Sequence, residues 1–443
     1  MKRALYLVII LTCSAQLCAQ ELLTLKDCIE IGIGNNLTLR RTEGDIRKAK
    51  LGISESRAKL LPLINAFGNF NNNVDANTTL LDGSASGVPY IESHMLRYST
   101  SAGVQLSLPL YNQTLYTSMK IAGRMKDISQ YSYNKAKSNL TIEISRLYYL
   151  AQTTSEQIKL TKDNIDRLTK LKNITEAFHD NDMALGVDVK RVSINLENMQ
   201  VQYDNAVAIF EQQMNLLKYI LDLDADMQIS LTPFDPANPD LVQTTGLSPD
   251  LNDFKILYAQ KDLLRKQKHL VNQGYIPTLS LVGKLSYTNF TDHFTNYFHT
   301  NQVDQSNRWY NNFFWGLSIN LPIFDAFERK LKSNKVQISI LQNELQITDT
   351  QKKLETEYVN GINDWENNKR TYKRQMDNYQ LSIDVYDVTA DQYKEGVSSM
   401  SDLLQDEMRM SNAQNNFLNA YYTCKVSELK LLKLTNQLDA LSK

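Results

Sequence analysis

The chain is poor in the two residues that most often interrupt regular structure. Its 443 residues include only nine prolines and 16 glycines, and these are clustered. No proline occurs from Ala326 to Tyr393. An uninterrupted helix of about 68 residues would extend roughly 100 Å at about 1.5 Å per residue. Such a helix is too long to lie inside a globule, so it must belong to a coiled coil or to a wall.

Long apolar runs and basic clusters are also missing. Beyond the N-terminal segment, no stretch approaches 18 consecutive apolar residues, so a membrane-spanning part would have to consist of strands. The formal net charge is only −1, and no basic block or basic stripe is present. This charge distribution argues against nucleic acid as a partner.

Cysteine is scarce as well. Cys13 and Cys18 lie in the N-terminal segment without the small-residue context of a lipidation site, so a lipoprotein is the less favoured alternative. Cys28 and Cys424 are too few and too far apart in sequence for a disulfide framework. We expect packed thiols at both positions, with a bridge between them as the less favoured alternative.

The N-terminal segment is typical of a secretory signal peptide. Lys2 and Arg3 provide a positive start, an uncharged apolar core follows from Leu5 to Leu11, and small and polar residues lead to Ala19. The apolar core is far shorter than the roughly 20 residues that a membrane-spanning helix needs. Residues 1–19 are therefore predicted to be a signal peptide, which implies export.

Landmarks recur along the chain at nearly constant spacing. The matching pairs lie 213 to 215 residues apart: Pro62 and Pro277, Gly103 and Gly316, Phe178 and Tyr393, and Asp188 and Asp402. Such a spacing predicts a tandem internal duplication. The first repeat covers residues 20–235 and the second covers residues 250–443, with a Pro-rich linker at 236–249.

Each repeat has the same predicted order: helix, strand, long loop, strand, very long helix, break and long helix. Apolar and polar residues alternate in the strands predicted at about 98–110, 277–290 and 311–323, and they alternate only weakly in the strand predicted at about 62–73. This period of two is typical either of a half-buried soluble sheet or of lipid-facing barrel strands. Ten aromatic residues lie from Tyr287 to Trp315, and such a cluster beside strands favours a lipid interface.

The long helices show heptad spacing. One seam steps by alternating fours and threes through Tyr358, Ile362, Trp365, Lys369, Tyr372, Met376, Tyr379, Ile383, Tyr386, Ala390 and Tyr393. The first repeat has a weaker seam at Ile144, Leu147, Ala151, Thr154, Ile158, Thr161, Ile165 and Leu168. Returning helices are expected from about Val189 and Leu403, and the last of them carries on one stripe Met410, Phe417, Tyr421, Cys424, Leu431 and Leu438. These patterns predict a coiled coil, in which Cys424 is a core residue.

Four strands in one chain cannot close a barrel, and open strand edges are not tolerated in lipid. The chain must therefore oligomerise if its strands span a membrane. Two copies would supply eight strands and three would supply twelve. Twelve helices can surround a central space, whereas eight would pack more nearly into a solid bundle, so the residues favour a trimer. The predicted class is an α+β membrane protein.

The whole chain beyond the signal peptide resembles the TolC-like outer membrane efflux proteins. The resemblance lies in the opening LTLKDCIEIGIGNNLTLRR, in the strand ends LSLPLY and INLPIF, and in the segment YKEGVSSMSDLL. It implies a homotrimeric tunnel in the outer membrane, with a 12-stranded β-barrel and a long α-helical barrel that crosses the periplasm. It further implies a tripartite efflux pump with a periplasmic membrane-fusion adaptor and an inner-membrane transporter, for which the RND type is favoured.

The resemblance also assigns roles to the turns between the long helices. Asp188 and Asp402 are expected to constrict the periplasmic mouth, and Gln405 stands where some members have a second Asp. The residues expected in the turns and in adaptor docking are Phe178, Asn181, Gly186, Tyr393, Gly396, Val397 and Ser398. Asn181 is expected to match Gly396, and Ser398 replaces an Arg of some members. Alternatively, Asp188 and Asp402 simply cap their helices.

Motifs of catalysis and of metal binding are missing from the sequence. The sequence shows no nucleophile motif, no phosphate-binding loop and no histidine spacing suited to a metal, so no enzyme activity, cofactor or metal is expected. A type I secretion exit duct of the same family is an alternative. A periplasmic coiled-coil adaptor or scaffold is an alternative of another class, but it would not need two strand pairs beside an aromatic cluster.

Overall fold

A computed structural model describes residues 21–75, 78–94, 96–236, 246–298 and 309–442. The predicted signal peptide, most of the predicted Pro-rich linker and part of the loop after Thr291 lie outside these residues. Those predictions are therefore not tested by the structure.

Seven α-helices are present in the described residues, and two of them are very long. They are α1 (Leu25–Asn35), α2 (Leu37–Ala58), α3 (Gln113–Asp180), α4 (Gly186–Leu221), α5 (Asn252–Gln273), α6 (Glu328–Lys394) and α7 (Met400–Leu434). Helices α3 and α6 contain 68 and 67 residues. The prediction of an uninterrupted helix over the proline-free segment is therefore confirmed.

Eight strands occur in the same residues. They are β1 (Glu21–Leu23), β2 (Leu63–Asn72), β3 (Thr78–Asp82), β4 (Tyr90–His94), β5 (Tyr98–Tyr111), β6 (Ile229–Leu231), β7 (Thr278–Thr291) and β8 (Trp309–Asn320). Strands β2, β5, β7 and β8 form one antiparallel sheet in that order. These four are the predicted strands, and the main elements of each repeat follow one another in the predicted order.

The chain divides into two compact units. The first comprises the described parts of Met1–Ile46, Ser129–Tyr258 and Leu345–Lys443, and the second comprises Arg47–Ile128 and the described parts of Ala259–Glu344. Each unit takes segments from both predicted repeats.

The second unit contains the four-stranded sheet, which carries a broad apolar face. Ala66, Val104, Leu285 and Phe313 are directly paired across the four strands, so their side chains lie on one face. Strands β2 and β8 form the two edges, and each has one neighbour among the described residues. The sheet is therefore open at both sides.

The last strand is shorter than predicted. The alternation predicts a strand to residue 323, but β8 ends at Asn320. Pro322 has no backbone N–H to donate to a neighbouring strand, so it ends the pairing although the apolar alternation continues through Leu321 and Ile323.

The first unit is built on the predicted helical seams. Ile144, Ala151 and Leu168 of α3 are fully buried, and Tyr386 and Tyr393 of α6 are buried. The α7 side chains Met410, Phe417, Tyr421, Cys424 and Leu431 are also buried. Cys28 lies in a core with α3 and α4 residues, so packing of both cysteines is as predicted.

Some short elements were not predicted. The first predicted helix is divided into α1 and α2 at Asn36, whose side chain accepts a hydrogen bond from the Leu39 amide at 3.1 Å. Strands β1 and β6 form a parallel pair, and β3 and β4 form a hairpin within the long loop predicted between the first two strands. None of the helices within the described residues combines the length and apolar character needed to cross a bilayer.

Candidate functional site at the helix tips

The first tip, residues 178–188, joins α3 to α4 by a closed turn. The Met183 amide donates to the Phe178 carbonyl at 2.8 Å, and the Asp182 amide donates to the His179 carbonyl at 3.0 Å. This pair of bonds satisfies the last carbonyls of α3 in the manner of a Schellman motif. Asp182 adopts the required left-handed conformation, with φ of 59°.

The second tip, residues 392–402, closes α6 in the same way. The Val397 amide donates to the Gln392 carbonyl at 2.8 Å, and the Gly396 amide donates to the Tyr393 carbonyl at 3.0 Å. Gly396 has φ of 72°, a conformation that glycine adopts without a steric penalty. The two tips are therefore the same turn made from different residues.

The predicted match between Asn181 and Gly396 is wrong by one residue. Asp182, and not Asn181, occupies the left-handed position, and it precedes Gly396 by the same 214 residues that separate Asp188 from Asp402. Asn181 instead donates from its side chain to the Ala177 carbonyl at 2.7 Å.

The two tip carboxylates have local partners. Asp188 Oδ1 accepts a hydrogen bond from Arg191 at 3.0 Å, and the Asp188 side chain is mostly buried. Ser399 Oγ donates to Asp402 Oδ2 at 2.6 Å and accepts from the Asp402 amide at 3.2 Å. Both Asp residues lie in the first turn of a helix, where the helix dipole favours negative charge. The structure thus shows the local role, and the predicted constriction remains a prediction.

The tips rest on an apolar core in the first unit. The Phe178 and Tyr393 rings have centroids 6.2 Å apart, so the two tip aromatics are in contact. The buried members of this tip core are Leu168, Leu171, Val192, Met199, Tyr386, Tyr393, Met400, Leu403, Leu404 and Met410. The sequence-predicted aromatic positions therefore meet in space.

Sequence profiles connect this architecture with known proteins. The profile of the outer membrane efflux protein family matches residues 29–220 and 252–437. This chain belongs to the outer membrane efflux protein family. It is 21% identical over 397 residues to the outer membrane protein TolC of Vibrio cholerae, covering 86% of this chain and 83% of that protein. It is 21% identical over 446 residues to the probable efflux pump outer membrane protein TtgC of Pseudomonas putida, with 92% and 82% covered.

Solved structures of outer membrane channels share the fold. The Campylobacter jejuni CmeC channel gives a TM-score of 0.73 at 17% identity, over 94% of this chain and 85% of that chain. The open state of the Neisseria gonorrhoeae MtrE channel gives 0.72 at 17% identity, over 95% and 90%. The predicted resemblance is therefore confirmed, and this outer membrane efflux protein shares its fold with solved outer membrane channels.

The remaining predicted tip residues of this outer membrane efflux protein differ in exposure. Val397 is 73% exposed, and Gln405 is also exposed, whereas Ser398 is half-buried. Gly186 begins α4, and a Cβ added there would lie 3.1 Å from His179 Nε2. Gly186 therefore permits close approach of the histidine.

Metal-binding geometry is not found at the tips. His179 Nδ1 lies 3.7 Å from Asp180 Oδ1, but the His179 side chain is about half exposed and the Asp180 side chain is largely exposed. Across the part of the chain that the structure describes, no three His, Cys, Asp or Glu side chains are grouped to hold a metal ion.

One polar group beneath the tips was missed by the sequence reasoning. Glu407 of α7 is 1% exposed and lies at a seam position between Leu403 and Met410. The spacing in the sequence indicates this burial. Positions 403, 407, 410 and 414 follow one another at intervals of four, three and four residues, which is the spacing of a buried helix face. A charged residue at such a position is a candidate for function.

Proposed function

We propose that three copies of this chain form an outer-membrane channel that serves as the exit duct of a tripartite efflux pump for small molecules. Each copy contributes four strands to a 12-stranded barrel and its long helices to a periplasmic α-helical barrel. The periplasmic tips receive a membrane-fusion adaptor, which connects the channel with an inner-membrane transporter of the RND type.

The open sheet of the second unit carries this proposal. Its edge strands β2 and β8 each have a side without a strand neighbour among the described residues. Its apolar face is exposed, with Trp315 at 70% and Ile319 at 72%. Large exposed apolar faces are rare on soluble monomers, and unpaired strand edges do not occur in lipid. Closure with the sheets of other copies removes the edges and turns the apolar face towards lipid.

The helices of the first unit give a second reason for oligomerisation. On α4, Val187, Ile194 and Val201 are exposed and follow one another at intervals of seven residues. On α6, Leu381 and Val388 are exposed at the same interval. A heptad stripe is the pattern by which one helix packs against another, so these stripes support packing against neighbouring copies.

The tips offer an apolar surface for an adaptor. Met183 and Leu185 of the first tip are exposed, as is Val397 of the second tip. Exposed apolar side chains rimmed by polar residues mark protein interaction sites. The Pseudomonas putida relative is named as an efflux pump outer membrane protein, which supports the same role.

The stoichiometry and the lipid face can be tested together. Light scattering in mild detergent, corrected for bound detergent, is expected to report three chains.

Leu317 and Ser318 are neighbours on β8 and lie on opposite faces. Leu317→Lys is expected to reduce outer-membrane insertion strongly, since a lysine on the lipid face costs about 2–4 kcal/mol at the bilayer centre. Ser318→Lys is the matched control and should insert normally.

A monomer or dimer with native strand content would contradict the trimer. Equal insertion of the two lysine variants would contradict the lipid-facing assignment. Dye accumulation in cells that lack the chain, and its reversal by the wild-type chain, tests the efflux role separately.

A further inference from the structure

The Glu407 side chain is buried without a hydrogen-bond partner. It is 1% exposed, and neither carboxylate oxygen has a hydrogen bond within the described residues. Burying an unpaired carboxylate is strongly unfavourable, and a buried carboxyl group avoids this by binding a proton. The burial arises within one chain and therefore does not depend on the trimer.

The cation whose charge acts on Glu407 is Arg167, and its guanidinium is engaged with other groups. Arg167 of α3 donates to Asn164 Oδ1 and lies 5.8 Å from the centre of the Tyr386 ring on α6. Its Nε atom has no hydrogen-bond partner among the described residues. The guanidinium therefore has donor capacity left for a second arrangement.

The other neighbouring charges do not neutralise Glu407. On α7 itself, Asp406 accepts from Thr389 at 2.8 Å and from Arg409 at 2.9 Å. Thus Arg409 is directed at Asp406. On α6, the Tyr386 ring lies under the Arg167 guanidinium, and the pKa of Tyr386 is raised by burial, lowered by Arg167 and raised by the negative charges of Glu407 and Asp387. The α4 side chains of the tip core are apolar: Val192, Leu196 and Met199.

Burial raises the pKa of Glu407 from the usual 4.5 to about 7, and the positive charge of Arg167 opposes this rise. Burial also raises the pKa of Tyr386. Tyr386 therefore stays neutral near pH 7. Glu407, by contrast, has a pKa close to neutral pH.

We propose that Glu407 is a proton-binding site that regulates how tightly the helix tips pack. With the proton bound, the packed arrangement is stable and Arg167 stays on Tyr386 and Asn164. When the proton leaves, the carboxylate requires water or Arg167. Water can reach it only if α7 separates from the tip core, and Arg167 can reach it only by leaving Tyr386.

The direction of the pH effect follows from linkage. A group whose pKa is raised in the packed state stabilises that state fully below its ordinary pKa, and the stabilisation is lost as pH rises through the raised value. Rising pH from about 5 to 8 therefore loosens the tips. Between the ordinary pKa of 4.5 and the raised value of about 7, the ratio of loosened to packed tips increases at most about tenfold per pH unit in each chain, and it levels off above the raised value.

The link to channel gating rests on the proposed function. Glu407 lies five residues after Asp402 on the same helix, less than two turns from the predicted constriction. A loosened tip would widen the mouth, so the channel is expected to conduct more at pH 8 than at pH 6.

The proton site can be tested without reference to conduction. In the purified full-length protein, infrared difference spectra are expected to show a protonated carboxyl band that disappears with a midpoint near pH 7. Glu407→Gln should remove this band, and Arg167→Gln should move its midpoint to higher pH. Glu197→Gln on the exposed side of α4 is the matched control and should leave the band unchanged.

Tip packing is read by hydrogen exchange of the tip peptides in the same samples. We divide the amide exchange rate of the wild type by the rate of the Glu407→Gln variant at the same pH. This ratio of rates is expected to rise by about tenfold or less from pH 6 to 8. This ratio cancels the chemical pH dependence of exchange. Absence of the band, or a ratio that is constant with pH, would overturn the proposal.

Conductance in planar bilayers distinguishes the two proposals. A protein that shows the titrating band and the pH-dependent exchange but forms no pore would contradict the proposed function and leave the proton site standing. A pore whose opening has the same pH dependence in the wild type and in Glu407→Gln would overturn the regulatory role.

Discussion

The two helix tips make the same turn with different chemistry. The second tip has glycine at the left-handed position and a serine whose hydroxyl caps α7. The first tip has Asp182 at the left-handed position, and its capping residue Leu185 forms no side-chain hydrogen bond. A non-glycine residue in this conformation is strained, though Asp tolerates it better than most residues.

This comparison indicates that the second tip is the more firmly held. The turn geometry is fixed in both tips by the same two backbone hydrogen bonds, whereas the side chains decide how much each turn resists opening. The first tip should therefore open more readily. Substitutions that exchange the chemistry of the two tips test this difference.

The largest effect is expected from the tip carboxylates. In the proposed trimer, Asp188 and Asp402 would place six negative charges near the periplasmic mouth, where they would attract cations. Asn caps helices about as well as Asp but carries no charge. The double variant Asp188→Asn and Asp402→Asn is therefore expected to fold and insert normally and to lose cation preference and divalent block in planar bilayers.

The single variants refine this test. Asp402 accepts a hydrogen bond from the Ser399 hydroxyl, and the amide oxygen of an Asn at this position can accept the same hydrogen bond. Asp188→Asn also removes the ion pair with Arg191, and such a pair contributes about 0.2–0.5 kcal/mol on a helix surface. Unchanged ion selectivity in a well-folded double variant would leave helix capping as the role of both residues.

The left-handed positions should give the next largest effect. A Cβ on Gly396 would meet no atom within 4 Å, so Gly396→Ala tests the backbone conformation alone. The change should destabilise the second tip by about 1–2 kcal/mol, which corresponds to an increase of about 5- to 30-fold in amide exchange at residues 392–402.

The matched change in the first tip is Asp182→Gly. It relieves the strained φ of 59° but adds backbone freedom to the opened state. The two effects oppose each other, so exchange at residues 178–188 should change by less than it does in the Gly396→Ala variant. A larger effect at the first tip would contradict the interpretation that backbone strain distinguishes the two turns.

The sequence predicted those features that depend on residue pattern. Alternation located β2, β5, β7 and β8, and the heptads located the seams, because buried faces must be apolar along their length. The left-handed position was misplaced, since it is set by the bond from the Met183 amide to the Phe178 carbonyl, which residue type alone does not reveal. The β3–β4 hairpin was missed because its strands are short and most of its apolar side chains are exposed.

The buried charge beneath the tips shows a different limit. Glu407 and Gln414 lie on the same seam as Leu403 and Met410. Because both are polar, a pattern defined by apolar residues does not include them. The spacing identifies their buried face, but it does not identify the partners. That Arg167 is held by Asn164 and Tyr386 depends on how α3, α6 and α7 pack.

The smallest effect is expected from the helix caps, and it completes the comparison of the tips. Ser399 is the N-cap of α7, and its hydroxyl accepts a hydrogen bond from the Asp402 amide. Ser399→Ala should therefore destabilise the second tip by about 1 kcal/mol and raise amide hydrogen exchange at residues 392–402 by roughly fivefold. Leu185→Ser supplies the missing cap to α4 and should slow exchange at residues 178–188 by up to the same factor. Each variant leaves the charges of Asp188 and Asp402 unchanged, so ion selectivity should remain that of the wild type. If Ser399→Ala leaves the exchange of the second tip unaltered while Gly396→Ala accelerates it, then the glycine alone accounts for the difference between the tips.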